Sequence, residues 1–155
     1  MPVPTKYALD TNLFIRGYRD RVGAAQLKHF HALFAPYEFL SAVVVQELRA
    51  GVSTAEEVKR LERTVIEPFE RRGRVITPNF AVWRESGRVL ATLVAEDGLE
   101  LRRVPKHTVN DIMIALSCRE AGVTVVTENE KDFARLRRIV AFDFVSPWPV
   151  PHRLE

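Results

Sequence analysis

The chain has 155 residues, of which 46% are apolar and 28% charged, with a net charge of +3 and an isoelectric point near 9.3. Such values exclude a disordered or fibrous chain and leave room for a polyanionic partner; the absence of an apolar run near the roughly 20 residues of a membrane span excludes a helical membrane protein. A single cysteine, Cys118, excludes a disulfide framework, and the length predicts one domain over residues 1–155.

Tyr7-Ala8-Leu9 reads as a buried strand that meets a polar turn at Asp10-Thr11-Asn12. A helical turn over Leu13 to Tyr18 follows. An amphipathic helix over Val22 to Phe34 is closed by Pro36. Glu38-Phe39-Leu40 is the second strand, and Ser41 caps a helix over Ala42 to Ala50 that ends at Gly51. Thr54 caps one long helix reaching Phe69, and Arg74 to Thr77 is the third strand.

Asn79 caps a helix that runs to Gly98, and Leu99 to Pro105 is a basic loop. Thr108 then opens a helix from Val109 to Ala121 that is apolar almost all round, the mark of an element packed on both sides. Asp111 falls in its first turn. The β-branched run Val123 to Thr127 is a strand, the turn Glu128 to Asp132 leads into a short helix through Leu136, and Ile139 to Val145 is the last strand. Strands alternating with helices predict an α/β fold, a three-layer α/β/α sandwich around a central parallel sheet.

Acidic residues recur where that architecture gathers its chemistry. Asp10 follows the first strand, Glu47 lies in the helix after the second, Asp111 opens the buried helix, and Glu128 to Asp132 follow the strongest strand. In open parallel sheets, ligands bind just outside the carboxyl ends of the strands. Two carboxylates about 4 Å apart repel by roughly 4 kcal/mol at an effective dielectric of 20, so a cluster is stable only when protonated or holding a cation. Oxygen ligands select Mg²⁺ or Mn²⁺, which suit water activation for attack on a phosphodiester. Arg16, Arg19 and Arg21, then Arg71, Arg72 and Arg74, then Arg102, Arg103, Lys106 and His107 form basic clusters, two of them beside acidic motifs.

Four stretches carry a family resemblance: Tyr7 to Asn12, Ser41 to Gly51 with Gln46-Glu47-Leu48, Asn110 to Ala115, and Val126 to Phe133. In order and spacing they resemble the signatures of PIN-domain ribonucleases, most closely the VapC toxins of VapBC toxin-antitoxin pairs. The resemblance implies an endoribonuclease dependent on Mg²⁺ or Mn²⁺ that cuts structured RNA such as tRNA or rRNA and is silenced by a small antitoxin. It implies Asp10, Glu47 and Asp111 as the main catalytic and metal-binding carboxylates, with Thr11 and Asn12 shaping the turn and Thr127 placing its hydroxyl near the metal. Many relatives have Asp where this chain has Asn129, so the fourth position falls to Asp132 or Glu130, or Asn129 positions a metal-bound water. Arg16, Arg19, Arg102, Arg103 and Lys106 are the candidate RNA contacts.

Other readings fit less of the chain. A haloacid-dehalogenase-type phosphatase needs a second Asp where Asn12 stands, and a receiver-like domain needs an acidic pair at the first strand end. A non-catalytic RNA-binding or interaction module of the same fold is the main alternative. The first six residues lack the basic and apolar regions of a signal peptide, so the expected location is cytoplasmic. The helices over Val22 to Phe34 and Ala42 to Phe69 offer apolar residues for an antitoxin groove or for a homodimer partner. His29, His31, His107 and His152 show no metal-ligand spacing, and Cys118 reads as a core filler.

Overall fold

The computed structural model describes residues 3–151. Its centre is a five-stranded sheet of β1 (Tyr7–Leu9), β2 (Glu38–Ser41), β3 (Val75–Ile76), β4 (Thr124–Val126) and β5 (Phe144–Val145), ordered β3-β2-β1-β4-β5 with every pairing parallel. Helices flank the sheet, as the alternating sequence predicts. Because the chain builds outward from β1 to one side through β2 and β3, then returns to the other side through β4, the strand order reverses beside β1. Tyr7, Ala8 and Leu9 are paired with Thr124, Val125 and Val126 at that reversal. A crevice therefore opens at the carboxyl ends of β1 and β4.

Helix α1 (Thr11–Arg19) starts directly at the end of β1 with Asp10 as its N-cap, and α2 (Arg21–Phe34) starts one residue later with Asp20 accepting from the Gly23 amide. The two pack closely because Gly17 and Gly23 leave room. A Cβ on Gly23 would stand 2.5 Å from the Arg16 carbonyl oxygen, and one on Gly17 would stand 2.7 Å from a Leu27 methyl carbon. Phe30 and Phe34 of α2 meet Tyr7 of β1 edge-on, at 6.2 and 5.1 Å between ring centroids. Trp148 covers Phe30 from the chain's last described segment.

Helix α3 (Ala42–Ala50) runs from its Ser41 cap to Gly51 as expected. The helix foreseen after Thr54 is interrupted. It forms α4 (Ala55–Leu61), a π-helical turn over Glu62–Ile66, and α5 (Glu67–Arg71). Leu61, Val65, Ile66 and Phe69 are all buried, and the wider turn brings the adjacent Val65 and Ile66 to the same interior. Thr54 and Glu57 form a reciprocal capping box at its start.

Helix α6 (Phe80–Asp97) lies antiparallel to α7 (Lys106–Glu120): Val82 near its start borders Ser117 and Ala121, and Leu93 near its end borders Thr108 and Asp111. The start of α7 corrects the sequence reading. Pro105, not Thr108, is the N-cap, and its carbonyl accepts from the Thr108 and Val109 amides, so the helix begins a turn earlier and Asp111 lies in its second turn. Residues Asn110 to Cys118 are buried without a break, which explains the helix's unbroken apolar content. Burial pushes the Cys118 thiol up to about 12, leaving it an inert part of the core.

Helix α8 (Glu130–Arg137) follows β4, and Phe133 packs on Phe142 and Phe144. The last strand is only Phe144–Val145, shorter than the apolar run from Ile139 suggested, because Ile139 and Val140 bond back to Leu136 and prolong the helix's last turn. His152 lies outside the described residues.

These contacts set two opposite outcomes for glycine. Gly23→Ala must move the backbone of α1 and is expected to cost about 2–4 kcal/mol, whereas Gly87→Ala, in open space within α6, is expected to add up to about 1 kcal/mol; urea denaturation measures both.

Candidate active site

The carboxyl end of β1 places Asp10 at the crevice, where it is buried. Its amide donates to the Val126 carbonyl at 2.9 Å, tying the turn to β4. One carboxylate oxygen accepts from the Thr11 amide at 2.8 Å, and the other accepts from the Thr127 hydroxyl at 2.8 Å. Thr127 is itself fully buried at the end of β4, and its oxygen accepts from the Asn129 amide at 3.0 Å. One side chain therefore bridges the two strand ends that flank the reversal.

Glu47 comes from the second turn of α3, where the Thr11 hydroxyl donates to it at 2.7 Å. Asp111 approaches from α7, and Asp132 from the first turn of α8, where it accepts from the Asn129 side-chain amide at 2.9 Å. Burial raises the Asp111 carboxyl to about 8, with the charges of Asp10, Glu47 and Asp132 adding to the rise. Burial raises Asp10 too, opposed by the Thr127 and Thr11 bonds and assisted by Glu47 and Glu128. Yet among the described residues no three His, Cys, Asp or Glu side chains stand close enough to hold an ion as a group. The carboxylates of Asp10, Glu47 and Asp132 are near enough to Asp111 to repel it.

The donor set is nonetheless the one a hard divalent cation takes. All four groups offer oxygen, and the oxygens of Asp10 and Glu47 that accept from threonine keep free lone pairs. A cation bound among them would offset their mutual repulsion.

The remaining sequence candidates divide between the crevice and its surroundings. Asn12 is exposed in the first turn of α1. Glu130 is exposed and accepts from the Ser146 hydroxyl. Arg16 forms an ion pair with Glu128, Arg19 lines a neighbouring groove, and Arg102 and Arg103 both reach Glu100 in the loop between α6 and α7. Lys106 is exposed at the first position of α7. His31 meets the buried carboxylate of Glu38 at 2.6 Å, at the start of β2 and so away from the crevice.

Two residues at the crevice escaped the sequence reading of single positions. Glu128 follows β4 as Asp10 follows β1, and that placement was its signal. Arg135 stands three residues beyond Asp132 on α8; it pairs with Asp97 and borders a small cavity shared with Asp111 and Asp132.

A parallel α/β domain with an acidic crevice at its strand reversal defines the class, and sequence comparison narrows it. The chain belongs to the PIN domain family, whose family model matches residues 7–139. Solved structures of similar fold include FitAcB from Neisseria gonorrhoeae, at 22% identity and a TM-score of 0.66 over 93% of this chain and 99% of that one. DNA-bound VapBC from Salmonella typhimurium is 23% identical, with a TM-score of 0.63 over 92% and 98%. VapBC2 from Rickettsia felis, bound to a DNA fragment from their promoter, is 23% identical, with a TM-score of 0.61 over 94% and 100%. At such identities the likeness establishes the fold. None of the curated proteins matches this chain significantly.

The raised Asp111 sets a pH dependence for stability. Its folded carboxyl holds a proton that the unfolded chain loses near the ordinary value of 3.8, so its contribution is complete below about pH 4 and is lost as the pH climbs through about 8. With chelator present, Asp111→Asn is expected to stabilise the protein at pH 8 by roughly 1–3 kcal/mol and to flatten the decline between pH 4 and 8, as read by thermal unfolding across that range.

Proposed function

We propose that this protein is a metal-dependent endoribonuclease, the toxin of a toxin-antitoxin pair. The observation that carries the reading is that Asp10, Glu47 and Asp132 lie within electrostatic reach of Asp111 at the strand reversal. Membership of the PIN family supports a nuclease.

In this reading Asp10, Glu47, Asp111 and Asp132 would draw together to hold Mg²⁺ or Mn²⁺, because as they stand no three of them form a ligand set. A divalent ion bound there supplies charge neutralisation and a water acidic enough to attack a phosphodiester. Thr127 fixes the rotamer of Asp10 through its 2.8 Å bond, and Thr11 does the same for Glu47 at 2.7 Å. Asn129 orients Asp132. The loop carrying Arg102 and Arg103 leads directly into α7, so its cations stand at the same end of that helix as Asp111 and hold the substrate backbone. Glu128 keeps Arg16 beside the crevice. The excess of cations over acids, +3 for the whole chain, favours a polyanion as substrate. RNA, tRNA or rRNA in particular, is the substrate of this reading, and the cytoplasm its location. Among the described residues no helix is long and apolar enough to cross a membrane.

A groove of about 450 Å³ supports the antitoxin. It runs between α1, α3 and α4, with Ile15, Leu48, Val52 and Leu61 along it and Glu47 in its wall. Sequence reasoning also pointed to α2, which keeps Val22 and Leu33 exposed outside this groove. An antitoxin segment with an apolar strip would lie there and could extend an arginine to Glu47. Such a pairing is in keeping with the FitAB and VapBC complexes of similar fold. A homodimer belongs to the same proposal.

The test is cleavage of end-labelled total RNA by purified protein. Defined fragments are expected with Mg²⁺ or Mn²⁺, with loss of at least about 100-fold in rate for Asp10→Asn and Asp111→Asn and complete loss in chelator. Cutting that survives both substitutions would remove the carboxylates from catalysis. RNA binding without metal-dependent cutting would favour the non-catalytic module.

A further inference from the structure

Helix α6 carries a surface that neither its packing nor the crevice uses. Phe80 is 76% exposed and Trp83 58% exposed, one turn apart at the end of α6 remote from Asp111. Arg84 lies over the Phe80 ring at 5.6 Å, within cation-π range. Arg88, a turn further, holds the Glu85 carboxylate at 2.7 and 3.0 Å. Arg119 of α7 stands near enough that it acts with Arg88 and Arg84 to keep Glu85 below the usual carboxylate range. Arg88 thus pairs with the Glu85 carboxylate, with Arg84 and Arg119 near enough to act on its charge, beside two exposed aromatic rings.

Gly87 completes the surface. It follows Trp83 by four residues, so it lies on the same face one turn on, and no atom comes within 4 Å of where its Cβ would be. A glycine in a helix interior costs about 1 kcal/mol relative to alanine, and packing here does not require it. What it does leave is a bare stretch of helix one turn from Trp83, with no side chain to crowd a bound group.

We propose that the face formed by Phe80, Trp83, Arg84, Gly87, Arg88 and Arg119 is a second RNA-binding surface, on which an unpaired base stacks on Trp83 while the arginines hold the flanking phosphates. The proposal rests on RNA being the substrate. Ten residues separate Trp83 from Leu93, which borders the Asp111 cavity, so the surface stands about 15 Å along α6 from the crevice, and one folded RNA can reach both. Stacking on an aromatic ring is open to any base, and arginines between aromatics supply the charge that unpaired RNA needs. A second copy of the chain fits poorly. A two-fold contact through this face would set the three arginines of one copy against those of the other.

The test uses the whole chain in chelator with a fluorescein-labelled, unstructured RNA of about 20 nucleotides. Trp83→Ala is expected to weaken binding about tenfold and Trp83→Phe by less than about threefold, with unfolding midpoints near the parent's because the side chain is exposed. The double substitution Arg84→Ala with Arg88→Ala is expected to lower the slope of log affinity against log salt by about 1.4. In a Trp148→Phe background, where Trp83 is the remaining tryptophan, the RNA should quench its fluorescence.

Unchanged affinity in Trp83→Ala, with no quenching, overturns the proposal. So does loss of self-association in sedimentation by Trp83→Ala, which would assign the face to a second copy, or equal quenching by poly-glutamate, which would assign it to an acidic protein. The outcome is separable from the nuclease reading. Binding through Trp83 without any cutting would remove the nuclease and leave this surface, and metal-dependent cutting with wild-type affinity in Trp83→Ala would do the reverse.

Discussion

Like charge held at close quarters is the constraint around which this molecule is arranged. Asp10, Glu47, Asp111 and Asp132 come from four different elements, and burial together with the charges of the other three raises the Asp111 carboxyl to about 8. The fold accepts that cost by anchoring the groups rather than neutralising them. The hydroxyl of Thr127 fixes Asp10 across two adjacent strand ends, and the hydroxyl of Thr11 fixes Glu47 across two helices. These bonds do not remove charge; they fix where it points. Fixed charge of this kind is what the proposed metal site would use.

Such a site depends on strand order more than on any one side chain. Reversal of the order beside β1 brings the residues after β1 and β4 together, and the parallel register Leu9↔Val126 puts Asp10 and Thr127 side by side. Helix α7 must then run close over the sheet to deliver Asp111. That proximity explains the continuous burial from Asn110 to Cys118, where an ordinary amphipathic helix would leave one face to solvent. Core and crevice are thus built from the same residues, so under the proposed function stability and activity would pull against each other at Asp111.

Much of this was legible in the sequence because it rests on local signals. The caps Ser41 and Asn79, the stops Gly51 and Gly98 and the β-branched run through Val125 each fix an element with little help from tertiary packing. What was not legible depends on distant contacts. The π-turn at Glu62–Ile66 exists because two adjacent residues must both be buried, the early start of α7 reflects Pro105 accepting the first amides, and the short β5 follows from Leu136 capturing the Ile139 and Val140 amides. The acidic positions stood out by their placement after strands, but the orientation of Glu130 toward Ser146 and of Asp132 toward Asn129 is set by tertiary geometry that spacing does not encode.

The central claim is that the carboxylate crevice is a divalent-cation site, and titration of the protein with Mn²⁺ followed by electron paramagnetic resonance tests it most directly. The free-ion signal should be lost on addition of the protein at neutral pH, should persist with Asp10→Asn or Asp111→Asn, and should reappear when Mg²⁺ competes. Equal uptake of Mn²⁺ by the parent and by a variant carrying both substitutions would place the ion elsewhere and contradict the account.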